Sequence, residues 1–278
     1  MYVVKHISEI QTQISTLKVK NFTIGFVPTM GALHEGHLSL IRNAKKECNI
    51  TVASIFVNPI QFNNPTDLEN YPRTLENDLN MLEKEGCDFV FAPSTQEMYP
   101  EPESITIDFG ALDKVMEGAF RPGHFKGVAI VVKKLFEIIQ PDKAFFGEKD
   151  YQQLQIIKEL VRQFEIPVEI IGCPIVREKD GLAMSSRNTL LLPDMRKLAP
   201  EIYKSLLNAA EKNRSLSPIL LKEWVINEIN KKGLKVEYFE ISDARTLLPL
   251  SDWQDAQEII GCIAVHAGNV RLIDNIKL

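Results

Sequence analysis

The chain has 278 residues, 45% of them hydrophobic and 25% charged, enough for one large globular domain or two unequal ones. A net charge of -5 gives no bulk attraction to phosphate polymers or anionic lipid, so nucleic-acid and membrane-surface binding are disfavoured and any phosphate site must be a local arrangement. The four cysteines stand singly, without a zinc-knuckle or redox spacing, and neither a leader h-region nor a membrane-spanning apolar run occurs, so a cytoplasmic protein is expected.

In chain order, Ile7, Ile10, Ile14 and Leu17 recur at helical spacing, and the run from Phe22 to Val27 reads as a strand bounded by Pro28. Leu38, Ile41, Ala44 and Cys48 predict a helix over 35–47, followed by the nearly continuous apolar run Ile50 to Val57 that a doubly covered parallel strand shows. A helix near Thr74 to Glu85 leads to a strand at Asp88 to Ala92. Val128, Val131, Leu135 and Ile139 mark one face of a further helix, and a strand at Lys143 to Phe146, a helix at Tyr151 to Phe164 and a strand at Val168 to Cys173 continue the alternation. Strands alternating with helices imply an α/β fold, a Rossmann-like parallel sheet with helices on both faces, over residues 1–175. Beyond it, the loop REKDGLAMSSRN, a helical region from Pro193 to Lys231 and the stretches VEYFEISD and GCIAVHAGNVRLIDNI predict a smaller C-terminal α+β domain, 176–278, with a small antiparallel sheet.

Open parallel sheets bind ligands beyond the carboxyl ends of their strands. Three of those ends are strongly polar: PTMGALHEGH after the Phe22 run, NPIQF after the Ile50 run, and GEKDYQQ after the Lys143 run. The glycine spacings of the Walker loop and of the dinucleotide fingerprint are both missing, and His34 and His37 stand at i, i+3 where a zincin motif needs i, i+4. They sit where a strand turns into a helix N-terminus, whose amide groups and dipole suit a phosphate, with imidazole donors alongside.

HEGH is similar to the H-x-G-H signature of the adenylyl-transferring superfamily of class I aminoacyl-tRNA synthetases and small nucleotidylyltransferases. Within it, PTMGALHEGHLSLI, FVNPIQF, YPRT, EGAFRPGHFKGV, FGEKDYQQ and DGLAMSSRN resemble, in order and spacing, the pantoate–β-alanine ligase family, densely over residues 22–190 and loosely in the C-terminal third. The resemblance implies ATP-dependent joining of pantoate to β-alanine through a pantoyl-adenylate, with AMP and pyrophosphate as products, ATP and Mg²⁺ as requirements, and a homodimer.

The resemblance also assigns residues. His37, His34 and Lys149 are the catalytic set, with His37 as proton donor. ATP is expected against Met30, Gly31, Ala32, Leu33, His34, Glu35, Gly36 and His37, against Gly147, Glu148, Lys149 and Asp150, against Val176 for the adenine, and against the mobile loop Met184, Ser185, Ser186 and Arg187, with the second domain closing over the site. Gln61 and Gln153 are expected to meet pantoate, since a neutral amide recognises its carboxylate and hydroxyls without blunting the nucleophile. Asn58, Tyr71 and His124 would shape the pantoate or β-alanine pocket, and Asp78 is a weak magnesium candidate. Two rival functions fit part of the pattern: a nucleotidylyltransferase that leaves AMP on its acceptor, and a non-catalytic ATP sensor.

Overall fold

The structure is a computed structural model describing residues 1–63 and 65–278. Its elements, in order, are β1 (Tyr2–Val4), α1 (Ile7–Val19), β2 (Ile24–Thr29), α2 (Glu35–Glu47), β3 (Ile50–Ile55), α3 (Pro65–Glu69), α4 (Leu75–Lys84), β4 (Phe89–Phe91), α5 (Thr95–Met98), α6 (Met116–Phe120), α7 (His124–Ile139), β5 (Lys143–Gly147), α8 (Tyr151–Gln163) and β6 (Glu169–Cys173). Then follow α9 (Pro193–Leu198), α10 (Glu201–Lys212), α11 (Pro218–Lys231), β7 (Lys235–Asp243), β8 (Ile259–Ala267) and β9 (Val270–Lys277).

The first six strands form one parallel sheet in the order β1-β4-β3-β2-β5-β6, and the last three a separate antiparallel sheet β7-β8-β9. The expected α/β class, with its smaller antiparallel sheet, is what the chain adopts. Alternation across each strand divides the core of the large sheet. Val27, Ala53 and Phe145 pack with Ile41 and Ala44 of α2 and Leu82 of α4, whereas Phe26 and Phe146 meet Phe136 of α7 edge to face, at 6.3 and 6.5 Å between ring centroids.

Two local features depart from the sequence reading. β2 runs through Pro28 to Thr29, because its pairing to β5 covers only Gly25 and Phe26, so beyond Phe26 it has one partner and tolerates a missing amide. β1 went unread: three residues, two of them exposed, carry no alternation, yet they pair in register with β4. Of the cysteines, Cys87, Cys173 and Cys262 are buried and Cys48 is half-buried; burial pushes the Cys87 and Cys262 thiols up to about 12, which keeps them unreactive near neutral pH.

The chain divides into two compact units. One comprises Met1–Phe109, Arg121–Glu148 and Gln153–Pro174; the other comprises Gly110–Phe120, Lys149–Gln152 and Ile175–Leu278. The second unit thus takes two short segments from within the first 175 residues in addition to the C-terminal region. In it, the helices α10 and α11 lay Ile202, Leu206, Leu221 and Val225 on one face of the antiparallel sheet, while Met116, Leu247 and half-buried Tyr151 pack on the other.

Candidate active site

In the first unit the chain steps from β2 to β3 on one side and returns to place β5 on the other, so the sheet order reverses at β2. Such a switch point is where open α/β sheets leave a crevice for ligands. The polar segments predicted at three strand ends follow β2, its neighbour β3 and its neighbour β5.

His34 is the N-cap of α2, with extended φ -144° and ψ 175°. Its Nδ1 accepts the Gly36 amide at 3.2 Å, and in return the His34 amide donates to Nδ1 of His37 at 3.3 Å. The i, i+3 spacing is therefore a reciprocal cap, built from imidazoles where Ser and Glu are usual. A ring nitrogen that accepts an N–H carries no proton, so this bonding pattern assigns each neutral ring the tautomer with hydrogen on Nε2. The two rings lie 4.1 Å apart between centroids. Two backbone amides of this helix end are taken within the protein: the Gly36 amide goes to His34 Nδ1, and the His37 amide to the His34 carbonyl at 2.8 Å. Both imidazoles are half-buried.

Ahead of the cap, Gly31 and Ala32 adopt left-handed φ of +82° and +50°. Successive amides turned to one side make a small anion cradle, and here it is filled from within the protein. Asp78, wholly buried on α4, accepts the Ala32 amide at 2.9 Å and the Leu33 amide at 2.8 Å, and the Thr74 hydroxyl at 3.2 Å on either oxygen. Asp78 is thus a tether for the loop, and its reading as a magnesium ligand is withdrawn because its oxygens are committed to these donors. No three His, Cys, Asp or Glu side chains among the described residues are grouped as a metal site. Glu35 is also drawn aside: the Arg42 guanidinium, shared with Glu85, holds its carboxyl below the usual range and occupies it.

After β3, Pro59–Gln61 form a 3-10 turn capped by Asn58, whose Oδ1 accepts the Ile60 amide and, at 2.9 Å, the Tyr99 hydroxyl. Its Nδ2 donates to Gln61 Oε1 and to the Gly127 carbonyl, both at 3.1 Å. Asn58 is buried and spends these bonds on the protein, one of them holding Gln61. Gln61 Nε2 in turn lies 3.1 Å from the sulfur of Met30. Buried His124 donates from Nδ1 to the Gln61 carbonyl at 2.9 Å, so its Nε2 accepts from Arg121 at 3.1 Å. Gly127 completes this support: a Cβ there would lie 2.6 Å from Gln61 Cα, so only glycine lets α7 lie on the turn. Tyr71 packs edge to face on Phe62.

β5 ends at Gly147, around which a Cβ would meet no atom within 4 Å. Nothing in the fold demands glycine there. A 3-10 turn, Glu148–Asp150, follows; Lys149 lies 3.8 Å from the Asp150 carboxylate, and Gln153 is half-buried in the first turn of α8. Glu148 and Gln153 belong to the first unit, Lys149 and Asp150 to the second.

The predicted loop after Pro174 is a hairpin within the second unit. The Met184 amide reaches the Val176 carbonyl at 3.0 Å, the Glu178 amide the Leu182 carbonyl at 2.8 Å, and Gly181 turns at φ +94°. Beyond it Ser185 caps a 3-10 turn, Ser186–Leu190, by accepting the Arg187 amide at 3.3 Å. The sequence reading missed Asp78 as a tether, Tyr99, and the adjacent buried polar pair Asp274 and Asn275 in β9.

A model of the pantoate-beta-alanine ligase family matches residues 2–277. Pantothenate synthetases of Bacteroides thetaiotaomicron and Porphyromonas gingivalis are each 49% identical, the match covering 100% of this chain and 99% of theirs. A crystal structure of pantothenate synthetase from Thermus thermophilus superposes with TM-score 0.92 at 43% identity over 100% of this chain and 99% of that one. One of pantoate-beta-alanine ligase from Francisella tularensis, complexed with beta-gamma ATP and beta-alanine, gives 0.83 at 38%, covering 100% and 97%.

Proposed function

The chain belongs to the pantoate–β-alanine ligase family, and from that we infer that it condenses pantoate with β-alanine at the expense of ATP. The pantoate carboxylate attacks the α-phosphorus and pyrophosphate leaves, giving a pantoyl-adenylate. The β-alanine amine then attacks the acyl carbon, loses a proton and expels AMP. The observation that carries the assignment of the chemistry is the reciprocal imidazole cap beyond the end of β2, whose bonding assigns an Nε2–H donor to each neutral ring.

Donors of that kind stabilise negative charge as it grows on phosphorus and on departing pyrophosphate, and His37 Nε2–H is our proton donor. We assign Lys149, Ser185, Ser186 and Arg187 to the phosphates and Asp150 to the ribose hydroxyls. Gly147 lets the nucleotide approach the backbone, and Val176 offers an apolar surface to adenine. Gln61, held by Asn58, and Gln153 bind pantoate, with Tyr71 alongside. Magnesium comes with the triphosphate as part of the substrate. By the resemblance alone we also take the enzyme to be a cytoplasmic homodimer, which sedimentation of the purified chain tests; no helix among the described residues is long and apolar enough to cross a membrane.

The test is rapid-quench measurement of pyrophosphate with enzyme, ATP, Mg²⁺ and pantoate but no β-alanine. A burst of about one equivalent per site followed by a near halt is expected, because a sheltered acyl-adenylate waits for its amine. Absence of the burst would exclude a preformed adenylate, and free AMP after β-alanine is added separates this enzyme from one that leaves AMP on its acceptor.

Gly147→Ala isolates one assignment. Since the added methyl meets no protein atom, the melting temperature should hold, while KM for ATP rises by about tenfold if the nucleotide lies against this backbone. An unchanged KM would remove Gly147 from the ATP site.

A further inference from the structure

β9 carries two adjacent buried polar residues, Asp274 and Asn275, on opposite faces of the strand. Asp274 accepts both arms of Arg177, at 2.7 and 2.9 Å, and Arg177 also donates to the Gly181 carbonyl and lies 3.4 Å from the Tyr203 ring centroid. One face of β9 is thereby fastened to the hairpin that leads into Met184–Arg187. On the other face, Asn275 Nδ2 donates to the backbone carbonyl of Lys149 at 3.0 Å, while its own amide is taken by Asp274 Oδ1 at 2.8 Å.

The hydrogen bond to Lys149 is a main-chain contact, so it fixes where the side chain starts without touching the ammonium. Lys149 lies in a single 3-10 turn, Glu148–Asp150, between β5 and α8. We propose that Asn275 is a positioning residue for the reaction: it sets the backbone of Lys149, and the Asp274–Arg177 fork keeps β9 in the register that lets it do so. This rests on the assignment of Lys149 to the ATP phosphates. A displacement near 1 Å of a charge that stabilises a transition state costs up to about a hundredfold in rate, whereas a strand side-chain amide that only fills space costs stability alone.

The test is a double-mutant cycle on single-turnover adenylate formation with Asn275→Ala, Lys149→Ala and the double variant, each checked for folding by thermal melting. In the wild-type background Asn275→Ala should lower the rate by about 10- to 100-fold with KM for pantoate little changed; in the Lys149→Ala background it should lower it less than about threefold. Should Asn275→Ala fail to fold, Asn275→Asp, which puts an acceptor oxygen against the Lys149 carbonyl at nearly equal volume, replaces it with the same expected pattern. Equal losses in both backgrounds would overturn the positioning role and leave Lys149 assigned. A Lys149→Ala enzyme of undiminished rate would overturn both.

Discussion

Replacing His37 with alanine is expected to slow pantoyl-adenylate formation by about two to four orders of magnitude, the scale of losing a transition-state donor or acid. The geometry adds a second expectation. Because His37 Nδ1 accepts the His34 amide, alanine also removes half of the reciprocal cap, at about 0.5–2 kcal/mol of stability. Asparagine separates the two effects. Its carbonyl oxygen can stand where Nδ1 stands, but it has nothing at the position of Nε2, so His37→Asn should melt close to wild type and be as slow as alanine. Single-turnover kinetics beside thermal denaturation gives both numbers, and a rate loss under tenfold in either variant would take His37 out of the mechanism.

Asp78→Ala is expected to be the most damaging change away from the reacting groups. It leaves the Ala32 and Leu33 amides without their charged acceptor, a cost of about 2–4 kcal/mol, and it releases a loop whose two left-handed residues have little intrinsic reason to stay as they are. His34 follows directly, so the rate should fall by about a hundredfold or more through misplacement of the imidazoles. Asp78→Asn keeps one acceptor and turns a donor toward an amide, and should fall between. The magnesium dependence distinguishes the tether from a metal ligand. With a tether, the Mg²⁺ concentration for half-maximal residual activity stays at the wild-type value; recovery of activity at high Mg²⁺ would return Asp78 to the metal.

Both variants bear on how much of the molecule was legible beforehand. Hydrophobic period found the long helices and the buried strands, since burying one face or both leaves its mark on composition, and the strand ends led to the polar segments at β2, β3 and β5. Periodicity says which face is buried and nothing about which residue meets which. Asp78 lies 46 positions from Ala32, and its carboxylate reads like any acidic residue in a first helical turn. Ala32 gives no warning of a left-handed backbone, which glycine and asparagine usually announce. Asn58 matches its motif block, but its bonds to Gln61, the Gly127 carbonyl and the Tyr99 hydroxyl leave no trace in the sequence. The histidines were found for their chemistry, and their mutual cap stayed hidden because Ser and Glu, the residues that signal such a cap, are absent from it.

The reciprocal cap also bears on what could be transplanted. H-x-G-H is written as four letters, yet its two rings sit as they do because a helix starts at that place, because Gly31 and Ala32 ahead of it turn left-handed, and because a carboxylate from a different helix grips that turn. Grafted alone onto another helix start, the letters would carry the rings without the frame that chooses their tautomers. The portable unit is the run from Thr29 to Leu38 together with a buried acid in the place of Asp78, and a designer who supplies only the histidines has copied the spelling of the site and left its grammar behind.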